Sequence, residues 1–290
     1  MLKLSNLVGC AALASGLATS AWASTPINES RPLDADGQLS VNNLAGTIEV
    51  VAWDRKEVAI SGDLGEDVEA LEISGDARKL TIHVRYPRKS RGDIEETLLR
   101  LQVPMGAALT LEGVSSDIKV SGTRGALSAS SVSGDVEARV ASTNVKLNSV
   151  SGDISLGAPS TQAELQSVSG DINARGLSGT VKAETVSGNL QLGGDNFKEV
   201  SAQSVSGDMQ LDVGLVSGAE LRAETLSGEI AVRLQKTPDA KLSMKTFSGM
   251  LTSDLAPKGS EERRKIEATI GSGRGVIELS TFSGDIVLSK

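Results

Sequence analysis

Cysteine, histidine and aromatic rings are nearly missing from this chain, and each shortage closes off a class of function. The 290 residues hold one cysteine, Cys10, and one histidine, His83. Cys10 lies in an N-terminal stretch that reads as a removable leader, so disulfides, thiol nucleophiles and cysteine metal sites are excluded from the mature chain. A serine nucleophile needs a base beside it. The only histidine alternates with Ile82 and Val84 in a strand-like run that turns it outward. Phe, Trp and Tyr make up 2% of the residues, too few for a row of ring faces on which sugars would stack. Trp53 shares its strand face with Val51 and reads as a packing residue. Acids are too frequent for a paired-carboxylate glycosidase site to be read from spacing.

Clustered positive charge is scarce too. Taking away residues 1–23 removes one of 29 basic residues and none of 37 acidic ones, which moves the formal charge from −8 to −9. That balance works against nucleic acid and anionic lipid as partners. The one basic run, Arg85 to Arg91, is followed at once by Asp93, Glu95 and Glu96 and reads as a solvated loop.

Residues 1–23 have the layout of an export signal: Lys3 near the start, an apolar run from Leu7 to Ala18, and Ala21-Trp22-Ala23 ahead of Ser24. Leu7-Val8-Gly9-Cys10 resembles a lipoprotein cleavage box, but most of the apolar region follows the cysteine instead of preceding it. No later segment approaches the about 20 apolar residues of a membrane-spanning helix. The expected location is therefore outside the cytoplasm, in the periplasm or at the cell surface, with no integral membrane segment in the mature chain.

Residues 24–37 read as an extended lead-in and 38–108 as an N-terminal β region. Gly46–Trp53 with Glu57–Ser61, and Val68–Ile73 with Lys79–Tyr86, have the look of hairpins. In the second, Leu80, Ile82, Val84 and Tyr86 share a face. Pro104 ends the strand from Leu98.

From about 109 to 290 one short motif repeats. Gly134, Gly152, Gly170 and Gly188 are each 18 residues apart and each follows a serine; Gly207, Gly228, Gly249 and Gly284 continue the series at wider steps. Val114-Ser115-Ser116-Asp117 is a degenerate earlier copy. A fixed short period marks a repeat architecture whose units stack to bury their apolar faces. Within a unit, Ile154 and Leu156, then Ala163 and Leu165, alternate with polar residues as strands with one buried face do. The reading is all-β: a β-solenoid of about 18 residues per coil, continuous with the preceding β-hairpin region. Winding should be right-handed. About nine coils at about 4.8 Å each make a rod of about 45 Å. Lys265–Ile270 and Gly275–Ser280 read as a closing hairpin over the open end.

The glycines are expected at corners of positive φ, with the preceding serines bonding local backbone. The acids after them, chiefly Asp135, Asp153, Asp171 and Asp208, with Asp117 and Asp285 beyond, should stack in one column and form the candidate binding site. At a spacing of about 4.8 Å, neighbouring charges repel by about 0.9 kcal/mol in water and about 3.5 kcal/mol at an effective dielectric of 20. Such acids either cap their own turns in solvent or collect divalent cations. Asn189, Met250 and Glu229 interrupt the column and favour capping. No cofactor is expected.

The Gly46–Trp53 opening, the Val-Pro strand end and the serial Val-Ser-Gly-Asp units resemble the bacterial putative-adhesin family of β-strand-repeat domains of unknown function. The resemblance runs from about Gln38 to Lys290. It implies an exported β-solenoid without known catalytic residues. The expected role is non-enzymatic: adhesin-like binding or scaffolding in the cell envelope, toward an envelope protein or a surface glycan. Two alternatives stay open: an envelope-stress or ligand-sensing accessory protein, and a carbohydrate-active enzyme on a β-helix.

Overall fold

The computed structural model describes residues 25–87, 94–256 and 264–290; the leader, most of the basic run and most of the charged insertion after Ala256 lie outside these. Every regular element among the described residues is a β-strand. β1 (Thr25–Pro32), β2 (Gln38–Trp53), β3 (Glu57–Leu64), β4 (Ala70–Gly75), β5 (Lys79–Arg85) and β6 (Thr97–Pro104) build the first part. β7 (Ala108–Ser121), β8 (Leu127–Ser131), β9 (Val136–Arg139), β10 (Val145–Ser149), β11 (Ile154–Gln166) and β12 (Ile172–Glu184) form the regular coils. β13 (Leu190–Ser206), β14 (Met209–Ser227) and β15 (Ile230–Leu234) continue them. β16 (Ala240–Ser248), β17 (Leu251–Ser253), β18 (Lys265–Ile270), β19 (Gly275–Ser283) and β20 (Ile286–Ser289) finish the chain.

Parallel pairing joins equivalent positions of successive coils. Ile154 pairs with Val136 on one side and Ile172 on the other, and Leu165 with Leu147 and Ala183. Two ladders result, on two sides of the stack. One runs from β2 through β7, β9 and β11 to β15, the other from β2 through β7, β8 and β10 to β14. The alternation read in the sequence is what turns these side chains inward. Ile154, Ala163 and Leu165 are 0–3% exposed, and large and small residues alternate down a column, as with Ala138, Leu156 and Ala174. Burying each large aliphatic chain contributes about 1.5–3 kcal/mol. Phe197, wholly buried, fills the third side of the stack.

The ends depart from sequence order. β2 is sandwiched between the later β5 and β6 on one side and β7 on the other. The expected β2–β3 hairpin does not form: β3 instead pairs antiparallel with β6 and with β1, which occupies the expected lead-in. The β4–β5 hairpin is present, and Asp76 accepts from the backbone N–H groups of Arg78 and Lys79 at its turn. The expected closing hairpin of β18 and β19 is absent. β19 lies parallel between β14 and β16, β20 between β15 and β17, and β18 covers β16 antiparallel. A long parallel ladder satisfies every backbone group of β19 on both edges, which a two-strand hairpin cannot do.

Where the repeats begin, a buried polar cluster replaces the repeating corner. Tyr86 Oη lies 3.0 Å from Asn43 Oδ1 and 2.9 Å from Thr97 Oγ1. Asn43 donates to Ser116 Oγ at 3.2 Å, and Ser116 Oγ donates to the Asn43 carbonyl. Ser116 thus holds the slot that glycine takes in the later copies. Burial pushes the Tyr86 hydroxyl above its ordinary pKa.

Candidate functional site

The Val-Ser-Gly-Asp corners stack into one edge of the solenoid, where four columns run side by side: a buried hydroxyl, an exposed apolar side chain, the glycine and the acid.

The hydroxyl column is three residues ahead of each glycine, at Ser131, Ser149, Ser167 and Thr185, all 4–6% exposed. The serine hydroxyls accept the N–H of their own corner glycines, Gly134, Gly152 and Gly170, at 2.9–3.0 Å. Ser131 also donates 2.8 Å to the Ser116 carbonyl one coil back. This column was not singled out in the sequence, although Ser or Thr at that offset in every copy is a visible signal.

The glycines are required for a different reason than expected in the regular coils. Gly134, Gly152, Gly170 and Gly188 do not have positive φ. A Cβ on Gly152, Gly170 or Gly188 would instead run into the carbonyl of the preceding corner glycine, and one on Gly134 into that of Ser116. Gly207, Gly228, Gly249 and Gly284 meet the same obstruction and do have positive φ, between 147° and 156°. The positive-φ expectation therefore holds for the later corners only.

The acids do stack, and each reaches across to the next coil instead of capping its own turn. Asp117 Oδ1 accepts the Asp135 N–H at 3.0 Å, Asp135 that of Asp153 at 2.9 Å, Asp153 that of Asp171 at 2.8 Å and Asp171 that of Asn189 at 2.7 Å. Asn189 Oδ1 then accepts from Asp208, and Asp208 from Glu229. Asp285 accepts from Met250. Two of the three interruptions, Asn189 and Met250, now have a physical reason. Asparagine offers the same oxygen as aspartate, and Met250 stands on the outermost coil of this ladder, with no following N–H to receive. Among the described residues no cluster of three acids or histidines has metal-ligating geometry. The corner serines are not brought to a histidine: His83 pairs with Asn42 and Glu72 on β5.

The fourth column is apolar and faces water. Val114, Val132, Val150, Val168, Val186 and Val205 are 42–46% exposed, and Leu226, Phe282 and Phe247 are 52–59% exposed. In space Phe282 precedes Phe247, because β19 lies inside β16. The two rings stack with centroids 4.7 Å apart and planes 6° from parallel. The Arg264 guanidinium lies 5.6 Å from the Phe247 centroid. So two of the chain's three phenylalanines stand on the surface of one corner. An exposed row of this length is unlike the scattered apolar residues of an ordinary surface. Alternation across the corner could not reveal it, since the period of two breaks where the chain turns.

Trp53 is half-buried in the N-terminal part. Its indole N–H donates 2.8 Å to the Glu57 carbonyl, and the Arg55 guanidinium covers its face at 4.9 Å. The described residues include no helix long and apolar enough to cross a membrane.

A family model described as Toastrack DUF4097 matches residues 37–217 and 178–289. No curated protein matches. Among solved structures, a putative lipid binding protein from Parabacteroides distasonis ATCC 8503 is 14% identical, with TM-score 0.49 and coverage of 91% of this chain and 96% of that one. A putative adhesin from Bacteroides fragilis NCTC 9343 is 12% identical, with TM-score 0.39 and coverage of 92% and 98%. A putative cell adhesion protein from Clostridium sporogenes ATCC 15579 is 11% identical, with TM-score 0.23 and coverage of 91% and 99%. At these scores the likenesses carry no functional argument.

Proposed function

The chain belongs to the Toastrack DUF4097 family, a family of unknown function, and from that premise we propose that it is an exported, non-enzymatic binding or scaffolding protein whose working surface is the stacked corner. Residues 1–23 serve as its leader, residues 24–37 lead in, and residues 38–290 act as one continuous body wound right-handed. It works in the periplasm or at the cell surface, on an envelope protein or a surface glycan. The observation that supports this reading best is the unbroken apolar row from Val114 to Phe247 beside the acid ladder of Asp135, Asp153, Asp171 and Asp208. These valines keep 42–46% of their surface in water, and a rigid repeated row of them offers a partner many equivalent contacts.

The test is site-specific photo-crosslinking in the intact host envelope. A crosslinker at Val168 should capture one discrete partner, and the same group at Ser128, on the outer face of β8, should not. Equal or absent capture at both positions would defeat the reading. Export is checked separately by mass spectrometry, with Ser24 expected at the N-terminus of the protein isolated from its host.

A further inference from the structure

We propose that the C-terminal part of this corner, from Val186 to Phe247, is a docking strip for an amphipathic, lysine- or arginine-flanked α-helix of another polypeptide. The proposal rests on the corner being a binding surface and names what it binds.

The strip is where the apolar row changes character. Val186 and Val205 give way to Leu226, Phe282 and Phe247, each more than half exposed and two of them stacked. It lies beside one line of acid. On one side run Asp208, Glu229 and Asp285, whose backbone positions are fixed by the inter-coil ladder. On the other, two residues before the apolar position, the rungs carry Glu184, Gln203, Glu224, Ser280 and Lys245. Lys245 and Arg264 appear only at the outermost rung.

The charges decide against a second copy of the chain. An antiparallel isologous contact across this corner would set the line of Asp208, Glu229 and Asp285 against its own copy, and like charges brought together across an interface cost affinity and specificity. They decide equally against an anionic membrane. What fits is an apolar stripe bordered by cations.

Spacing decides the form of that stripe. Rungs of a parallel ladder repeat at about 4.8 Å. Successive turns of an α-helix present side chains about every 5.4 Å, so a helix laid along the row drifts by about 0.6 Å per rung and stays within half a rung over four steps. Same-face residues of an extended strand repeat about every 6.7 Å and lose register within two. Five rungs, about 19 Å, match about 13 residues of helix.

The probe is a fluorescent 18-residue peptide of leucine and lysine patterned as an amphipathic helix, with a scrambled peptide of the same composition as control. Binding to the whole mature protein is followed by anisotropy, and the oligomeric state by analytical ultracentrifugation. The patterned peptide should bind at least tenfold tighter than the scrambled one. The double substitution Phe247→Ser with Phe282→Ser should weaken it at least tenfold without lowering Tm. The triple substitution Asp208→Asn, Glu229→Gln and Asp285→Asn should weaken it several-fold and flatten its salt dependence. Asparagine and glutamine keep the acceptor oxygen, so this variant reports charge even if the serine variant proves unstable. Equal binding of both peptides, or indifference to both sets of substitutions, overturns the proposal. So does a dimer of the parent that Phe247→Ser with Phe282→Ser dissolves, which would give the strip to a second copy. Capture from Val168 without peptide binding would sink the helix alone; failure of both would sink the surface as well.

Discussion

The same four-residue motif takes two backbone forms in the two halves of the stack. In the regular coils the glycine is buried, its φ is not positive, and in Gly134, Gly152 and Gly170 its N–H donates to the serine hydroxyl three residues earlier. In the later, longer coils the glycine is partly exposed, φ reaches 147–156°, and the N–H turns outward into the ladder. Gly207 donates to the Ser227 carbonyl, Gly228 to that of Ser283 and Gly284 to that of Ser248. The strand then runs on to the serine beside the glycine, as in β13, β14, β16 and β19. The hydroxyl three residues back loses its donor, and Ser204 and Thr225 are left buried with no hydrogen-bond partner. One peptide rotation therefore moves a hydrogen bond from within a coil to between coils. The acid ladder crosses from one form to the other, from Asp171 through Asn189 and Asp208 to the Glu229 N–H, and resumes between Asp285 and Met250. The outward residue grows from valine to leucine and phenylalanine over the same stretch. What the comparison teaches is that the motif specifies an inter-coil contact, while the corner conformation is left to the neighbours.

The largest test of the comparison separates steric from torsional need for glycine. Gly170 has no positive φ but no room; Gly218 has φ of 79° and nothing within 4 Å of where Cβ would stand. Gly170→Val should lower stability by at least about 3 kcal/mol, because the obstruction is backbone on a coil fixed by its own ladders. Gly218→Ala should cost only about 1 kcal/mol. Urea denaturation of both would settle the order, and a Gly218 variant as damaged as Gly170→Val would show that torsion, not contact, governs. Next in size, Ser167→Ala orphans the buried Gly170 N–H and should cost about 1–3 kcal/mol, whereas Ser204→Ala removes a hydroxyl that bonds nothing and should be neutral or slightly stabilising. Equal losses would erase the distinction between the two corners.

Smaller still is the acid ladder. Asp171→Asn keeps the oxygen that receives the Asn189 N–H and removes a charge beside Asp153, so thermal unfolding should shift little or slightly upward. Asp171→Ala leaves that N–H to solvent and should cost about 0.5–1 kcal/mol. Smallest is Asp239, outside the repeat corners. Its carboxylate accepts from Arg274 Nε at 2.6 Å and from the Ser272 N–H at 2.7 Å, and these bonds hold its pKa well below the ordinary 3.8. A depressed pKa adds stability above the unfolded value and surrenders it as pH falls toward the folded one. The Tm difference between the parent and Asp239→Asn should therefore be present at pH 7 and shrink below about pH 4. A difference that grows in acid would contradict the assignment.

Much of this is legible in the sequence. Period and alternation placed Ile154, Leu156, Ala163 and Leu165 inside, and the motif stacked Asp135, Asp153, Asp171 and Asp208 in one column. Both are local regularities of a strand that must bury one face. The hydroxyl column was equally regular but was overshadowed by the serine adjoining each glycine. The outward row of valines was hidden because alternation is reset at a corner. The two corner forms depend on where one N–H finds its acceptor, which lies on another coil. The order of strands at the ends was out of reach for the same reason: nothing local to β19 distinguishes a hairpin with β18 from a place between β14 and β16.

That last placement governs the order in which the molecule can be built. Glu220 pairs with Val276 and Lys241 with the same residue from the other side. Residues 240–253 therefore have no standing coil to add to until residues 275–289 have arrived, since β18, the other neighbour of β16, pairs with β16 alone, and a chain emerging from its N-terminal end cannot lay down its coils one after another to the finish. The penultimate layer closes last, and the chain between β16 and β19 must be held in place before the contacts of β19 reward it. Folding of this stack is thus a matter of a keystone set between two standing courses. A chain stopped at about residue 270 should keep its first coils but leave β16 and its exposed phenylalanine without a seat, a species open to proteolysis and to association with other unfinished chains.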